Sequence, residues 1–307
     1  MTHSGTPLSE VATRCLTIAT ASHLPKVSAM TQSLRRANPD LPCTLVLAER
    51  EPLDPATRSL LVDVDEVLLA REVFGDGLAE WAAMHSALET SCMLKPSAAR
   101  HLLRRADVGA VVYLDADTEH HAPLTPVLDA VASASLVVTP HLSDAPDASA
   151  AASQAELDCL VYGAFNLGVF AVADAPEAHR LLDWWDARVR ERCSATGTPY
   201  LDQGWMDLAT GLFDDVRILR HRGCNVATWN AAERIVARGA DGAWRVDAEP
   251  LVFCHYAAWD SGAFHSALPA LRTRNPGFVE LATAYGRELA AQAERFDPAD
   301  GWSFADA

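Results

Sequence analysis

The chain has 307 residues, 50% of them hydrophobic, and a formal net charge of -16. That length and apolar content exclude a disordered chain and leave room for one large or two ordinary domains. The acidic balance argues against nucleic acid and anionic membranes as partners, because both are gripped through clustered Lys and Arg. An anionic small substrate would need a local remedy, such as a metal ion or a few placed cations.

The seven cysteines, Cys15, Cys43, Cys92, Cys159, Cys193, Cys224 and Cys254, are scattered and show no Cys-x-x-Cys spacing. They read as buried thiols of a reducing compartment. Residues 1–13 are polar and lack the apolar region of a signal peptide, and no apolar run reaches the roughly 18 residues of a membrane span. A cytoplasmic protein without an integral membrane segment is expected, and a homo-oligomer is left open. Richness in Ala and Arg with only two lysines, Lys26 and Lys95, is the pattern expected of a GC-rich bacterial genome.

Residues 15–19 form a short apolar run followed by the polar Thr20-Ala21-Ser22-His23. Leu24, Val27, Met30, Leu34 and Ala37 then recur at helical spacing, with Pro25 suited to the first turn and Asn38-Pro39 to the stop. Residues 44–48 read as the next strand. Strand, helix and strand at this length make a βαβ unit, which implies a parallel sheet with its sites at the carboxyl ends of the strands. Residues 64–69 read as a further strand. A long helical stretch over residues 77–106 follows, which Pro96 should kink or restart. Lys95 lies in it, about five turns before the next feature. A lone helix lysine is ordinarily a solvated one, but lysine is almost absent from this chain.

That feature is Val111-Val112-Tyr113-Leu114-Asp115-Ala116-Asp117-Thr118. Four apolar residues read as a buried strand, and because side chains alternate along a strand, Asp115 and Asp117 project to the same side at its end. Two carboxylates so placed can hold a hard divalent cation, which would neutralise a diphosphate and stabilise a departing phosphate oxygen. An acidic turn after a strand gives the same pattern. Glu119, His120 and His121 follow; neighbours in an extended chain point apart, so at most one could join a metal, and both histidines are expected at the surface.

Residues 134–139 read as another buried strand. Residues 143–154, rich in Ala, Ser, Asp and Pro without periodicity, read as a mobile loop or lid over the site. Residues 162–173 are strand-like and carry Asn166, which must find partners or face a ligand, and Gly168, which permits close backbone approach. A helix over residues 176–193 should pack Leu181, Leu182, Trp184, Trp185 and Val189 on the sheet. Asp202-Gln203-Gly204 opens the next helix, with Asp202 a natural N-cap and Gln203 in the first turn. Residues 216–219 and 251–254 read as later strands, the second ending at His255. Phe278, Leu281, Tyr285 and Leu289 mark a last amphipathic helix, and the tail from 297 is either loose or docked through Trp302.

Taken in order, four blocks resemble the family-8 type of retaining glycosyltransferases, which includes bacterial galactosyl- and glucosyltransferases and glycogenin. They are Leu114-Asp115-Ala116-Asp117-Thr118, Phe165-Asn166-Leu167-Gly168-Val169-Phe170, Asp202-Gln203-Gly204 and His255-Tyr256, and together they span roughly residues 15–259. The resemblance implies a GT-A fold: a Rossmann-like α/β domain with a mixed, mostly parallel sheet flanked by helices. Here that domain is expected over residues 1–270, with a C-terminal helical extension over 271–307. It also implies a nucleotide-sugar donor, usually a UDP-sugar, and Mn²⁺ or Mg²⁺ held by Asp115, Asp117 and His255, the imidazole favouring Mn²⁺.

By the same resemblance Lys95 would hold the donor, and Asn166, Asp202 and Gln203 would face the sugar, Asp202 and Gln203 as the catalytic pair. Thr20 and Ala21 lie where the base is received. Ala116 and Gly168 belong to the matched donor-site blocks, with Asn225 and Asn230 on the site wall. The acceptor is not legible. One departure stands out: where the family continues from its His into Gly and Lys, with the Lys touching the diphosphate, this chain reads Ala257-Ala258-Trp259-Asp260-Ser261. Arg272 and Arg274 are candidate replacements.

Two rival readings stay open at this stage. The apolar run with Asp-x-Asp-x-Thr also resembles the first motif of haloacid-dehalogenase-type phosphatases, with Asp214-Asp215 as their acidic pair, although no lysine follows Lys95 as those enzymes require. A sugar-nucleotide binder, or a hydrolase that transfers nothing, would carry the same donor site.

Overall fold

The computed structural model describes residues 12–145, 150–298 and 301–305. Its first strand, β1 (Ala12–Ala19), runs into a single 3₁₀ turn at Ala21–His23 and helix α1 (Leu24–Ala37), whose Pro25 sits in the first turn as expected. Strand β2 (Cys43–Leu47), helix α2 (Pro55–Leu60), strand β3 (Glu66–Leu69) and helix α3 (Ala70–Phe74) follow. The expected single helix over 77–106 is two, α4 (Leu78–Ala82) and α5 (Ala87–Leu103). The break comes at Ser86 rather than at Pro96. Ser86 and Glu89 form a reciprocal capping box that starts α5 afresh, and Pro96 lies inside the continuing helix, held by packing against the sheet and its neighbour helix.

Strand β4 (Val108–Leu114) carries the acidic pair at its end, and the short strand β5 (Thr118–His120) comes directly after. Helix α6 (Thr125–Val131), strand β6 (Leu136–Pro140), helix α7 (Ala150–Tyr162), strand β7 (Phe165–Ala173), helix α8 (Pro176–Glu191), helix α9 (Gln203–Leu212) and strand β8 (Val216–Ile218) complete the main layer. The loop expected over 143–154 is therefore cut short by α7; its stretch 146–149 lies outside the described residues. Trp185 is fully buried on α8 and Trp184 packs beside it, the core role expected of the pair.

The seven strands are ordered β3-β2-β1-β4-β7-β6-β8. The neighbours β3/β2, β2/β1, β1/β4 and β6/β8 are parallel; β7 alone runs antiparallel, between β4 and β6. This is the mixed, mostly parallel sheet flanked by helices that the sequence implied. Strand order reverses at the β1–β4 junction, so a crevice opens beyond the carboxyl ends of those two strands, where open α/β sheets bind their ligands. Because β7 is antiparallel, its beginning, not its end, meets that crevice.

The chain then leaves the main sheet for a three-stranded sheet of β9 (Val236–Arg238), β10 (Trp244–Val246) and β11 (Glu249–Pro250), which the sequence did not announce. Strand β12 (Phe253–His255) returns and pairs antiparallel with β5. Helices α10 (Gly262–Arg274) and α11 (Pro276–Ala293) finish the fold, and α10 runs across residue 270, where the helical extension was expected to begin. The tail is docked: Trp302 Nε1 donates to the Ala48 carbonyl at 2.9 Å, and Phe304 is buried beneath Arg50. All seven cysteines are free thiols, and only Cys159 is not buried.

Candidate active site

At Leu114 the β4 strand stops and the chain turns at once, leaving Asp115 and Asp117 at the carboxyl edge of the sheet. The turn is pinned from both sides. Asp115 N–H donates to the Gly168 carbonyl at 2.8 Å, and Thr118 Oγ1 donates to the Asp115 carbonyl at 2.9 Å. β12 lies along β5 with His255 opposite Thr118, and Tyr256 N–H donates to the Asp117 carbonyl at 2.9 Å. This pairing delivers an imidazole from far along the chain to the acidic pair.

His255 Nε2 lies 3.1 Å from Asp117 Oδ1 and 3.8 Å from Asp115 Oδ2. One ligand atom from each of the three residues falls within 4.8 Å of the others, and no other such group of three occurs among the described residues. The other ring nitrogen, Nδ1, is 3.1 Å from Asn166 Oδ1 and 3.1 Å from Asn225 Oδ1. Both are acceptors, so Nδ1 carries the proton and Nε2 is left to face the carboxylates, the arrangement that orients a metal-binding histidine. Gly168 completes the cradle. A Cβ there would come 2.3 Å from His255 Cε1 and 2.7 Å from Asp115 Oδ2, so only glycine leaves the space open. Two carboxylate oxygens and a neutral imidazole nitrogen form a donor set that fits a divalent cation such as Mn²⁺.

The electrostatics are those of a site that expects positive charge. Burial on its own would lower the His255 pKa, but Asp117, with Asp115 behind it, raises the net value. Burial opposes ionisation of Asp117, yet His255 outweighs it and holds the carboxyl at about 2. A cation entering here would displace the His255 proton.

Next to the triad lies a second buried group. Lys95 Nζ donates to the Leu167 carbonyl at 3.0 Å, sits 3.1 Å from Asp202 Oδ2 and 3.8 Å from Asp115 Oδ1, and lies over the Tyr113 ring. Tyr113 in turn donates to Asp115 Oδ1 at 2.6 Å. Burial alone would lower the Lys95 pKa, but the two carboxylates raise it, so the ammonium is held charged. Asp202 goes the other way: burial raises its pKa more than Lys95 lowers it. Its contact with Lys95 is an ion pair without good hydrogen-bond alignment. The N-cap expected of Asp202 is not made. Its backbone is already helical and its carboxylate is spent on Lys95 rather than on helix α9.

These groups face a cavity of about 970 Å³, which Asp115, Asp117, Lys95, Asn166, Gly168, Asp202, Gln203 and His255 all line. Gln203 Nε2 donates to the Tyr162 carbonyl at 2.6 Å. A narrower cavity of about 320 Å³ continues from it along Thr20, Tyr113 and Ala116. Ala21 lies off that wall, its N–H tied to Glu49 at 2.8 Å.

The structure corrects several expectations. Asn225 and Asn230 are fully buried and do not reach the cavity. Asn225 is held in place by donating to Thr139 Oγ1 at 2.8 Å, and its role is to support His255 from behind. His120 is buried rather than exposed, because β5 is covered by β12 and the ring packs on Phe253; His121 is half-buried, and neither joins the metal cluster. Arg272 and Arg274 are exposed on α10 and line neither cavity. Lys26 lines both, a residue that sequence reasoning passed over as one more helix position although it is one of only two lysines in the chain. The phosphatase reading fails on placement. Asp215 is engaged by the Ser135 N–H and Oγ at the amino end of β6, the opposite edge of the sheet from Asp115.

The mixed sheet, with its antiparallel seventh strand and a crevice at the β1–β4 junction, is the GT-A fold of the glycosyltransferases. The galactosyltransferase LgtC, solved in complex with donor and acceptor sugar analogs, matches over 84% of this chain and 95% of its own, with 16% identity and a TM-score of 0.50. An active-site variant of LgtC matches over the same shares with a TM-score of 0.51. In sequence, the chain is 24% identical over 151 residues to the uncharacterized protein YfnF of Bacillus subtilis (strain 168), 48% of this chain and 49% of that protein. The chain thus spans about half the length of this curated relative. No protein-family model matches it.

Proposed function

We propose that the protein is a metal-dependent glycosyltransferase that moves a sugar from a nucleotide sugar, a UDP-sugar by preference, to an acceptor with retention of anomeric configuration. The observation that carries this reading is the convergence of Asp115, Asp117 and His255 on one point at the mouth of the crevice, with Gly168 keeping that point clear. The ion they would hold, Mn²⁺ rather than Mg²⁺ because of the imidazole, supplies a positive centre that stabilises charge on a departing diphosphate. Thr20 and Ala116, on the narrower cavity, are the donor-side wall, with the Ala21 turn behind them.

Asn166 and Asp202 face the sugar. Lys95 pairs with Asp202 and fixes it in a buried setting, where its carboxylate supports the positive character that develops at the anomeric carbon. Gln203 opens the helix beside it and positions the sugar ring. Among the described residues the wall's one carboxylate outside the triad and the two lysine pairs, Asp158, accepts from Gln154 Nε2, and we favour attack by the acceptor hydroxyl on the face from which the diphosphate leaves over a nucleophilic carboxylate in the manner of the retaining glycosidases. A donor hydrolase without an acceptor shares this donor site and differs only in product.

A thermal-shift screen of nucleotide sugars with and without MnCl₂ tests the reading. At a hundredfold excess over Kd a true donor stabilises the fold by about 2.7 kcal/mol, which raises Tm by several degrees. The expected result is one preferred donor whose shift disappears with EDTA and which yields an α-linked product by NMR when an acceptor is supplied. Cleavage of a generic aryl phosphate, or no shift with any nucleotide sugar, would overturn it.

A further inference from the structure

The chain has two lysines and both line the same cavity, yet they are held in different ways. Lys95 is enclosed by Asp202, Asp115 and the Leu167 carbonyl. Lys26 projects from the first turn of α1 at the junction of the two cavities, and the residue is only 7% exposed. Its ammonium donates to one side chain, Asp260, whose carboxylate is 63% exposed. His23 Nε2 lies 3.8 Å from the same carboxylate oxygen. Asp260 stands in the turn between β12 and α10, two residues after Ala258, which is held at a left-handed φ of 61°.

The pair is lopsided. Lys26 cannot carry its charge out to solvent, because its stem is packed within the helix layer. Asp260 loses little by leaving, because its carboxylate is already largely in solvent, provided that another anion takes over the buried ammonium. Among the described residues the cavity wall carries five carboxylates, Asp115, Asp117, Asp158, Asp202 and Asp260, against two ammonium groups. A divalent ion at Asp115, Asp117 and His255 would offset most of that excess and leave Lys26 as the cation whose partner is exchangeable. A phosphate, with more charge and more acceptor oxygens than a carboxylate, competes favourably for it.

We propose that Lys26 receives the diphosphate of the nucleotide, and that Asp260 holds that position in the free protein and withdraws when the diphosphate enters. This rests on the nucleotide-sugar reading above and adds to it a built-in competitor: the carboxylate sets a threshold that uncharged or weakly charged ligands do not cross. It also supplies the diphosphate contact that Ala257-Ala258-Trp259-Asp260-Ser261 does not, from a helix at the other end of the sequence.

The test is calorimetric titration with MnCl₂ present, using UDP, GDP and ADP, and then the nucleoside of whichever binds most tightly, on the intact chain and on Lys26→Met, Asp260→Asn and the double variant. Loss of one charge-assisted contact in Lys26→Met should weaken the diphosphate about tenfold. Asp260→Asn should tighten it by a few-fold, and neither change should alter nucleoside binding. In the Lys26→Met background the Asp260→Asn change should have no effect, since the competitor then has nothing to guard. Unchanged diphosphate affinity in Lys26→Met, or weaker binding in Asp260→Asn, overturns the inference while leaving the donor site intact. So does equal tightening by Asp260→Asn with and without Lys26, which would mean a general charge effect. Absence of binding by every diphosphate to the unaltered protein overturns the donor reading itself, and the inference with it.

Discussion

At the scale of single residues the site depends on what stands behind each functional atom. His255 presents Nε2 because Asn166 and Asn225 accept from Nδ1, and Asn225 can do so because its own amide donates to Thr139. Gly168 contributes by having no side chain. In Gly168→Ala the new methyl group would overlap the space between His255 Cε1 and Asp115 Oδ2. Overpacking of this kind costs about 1–3 kcal/mol. Because the displaced side chains are the metal-holding ones, Mn²⁺ affinity should drop by about tenfold or more, and the metal-free fold should lose stability within that range. Isothermal titration beside urea denaturation separates the two effects; a variant that binds Mn²⁺ like the original protein would show that the cradle is not used. The acidic pair and the Asn-x-Gly spacing were legible in the sequence because strand alternation fixes which side chains share a face. The supporting role of Asn225 was not, since it depends on a positive φ of 59° and on partners from two distant strands.

At the scale of elements the short β5–β12 pair does most to assemble the site, and it also buries a histidine. His120 is enclosed between Phe253, Thr118 and α1, and desolvation lowers its pKa to about 3. In the unfolded chain the same group titrates near 6.5. Between those values the unfolded state binds a proton that the folded state refuses. The contribution to stability is therefore intact above pH 6.5 and is lost as pH falls, by at most about 1.4 kcal/mol per pH unit. His141, lowered to about 4 by burial, adds to the same slope. Urea midpoints followed from pH 7.5 to 4.5 should fall on acidification, and His120→Gln should flatten the fall by close to one proton; an unchanged slope would mean that another group controls acid unfolding. Strands β1, β2, β4 and β7 and helices α1, α8 and α11 were readable because each carries its own period and stop signals. The start of α5 was missed because a capping box overrode the proline as the local punctuation, and β9–β11 because three short strands leave too few residues for alternation to show.

At the scale of the whole molecule the fold answers the problem that its composition poses. A chain with net charge -16 repels a diphosphate unless positive charge is concentrated where the ligand lands. The crevice collects both lysines, but also five carboxylates, so on the proposed reading the missing positive charge comes from an ion at the one three-residue carboxylate–imidazole cluster found among the described residues. The sheet order makes this possible. Its reversal between β1 and β4 opens the crevice, the antiparallel β7 brings Asn166 and Gly168 to the same edge, and β12 closes the arrangement with His255. Among the described residues no helix is long and apolar enough to cross a membrane.

The central claim is that Asp115, Asp117 and His255 grip one divalent ion together, and titration of the apoprotein with Mn²⁺ tests it most directly. The account predicts one ion per chain, proton release that grows as pH is lowered toward 6, and at least a tenfold loss of affinity (on the order of 1.4 kcal/mol) in each of Asp117→Asn and His255→Ala. Affinity that survives His255→Ala unchanged would contradict it.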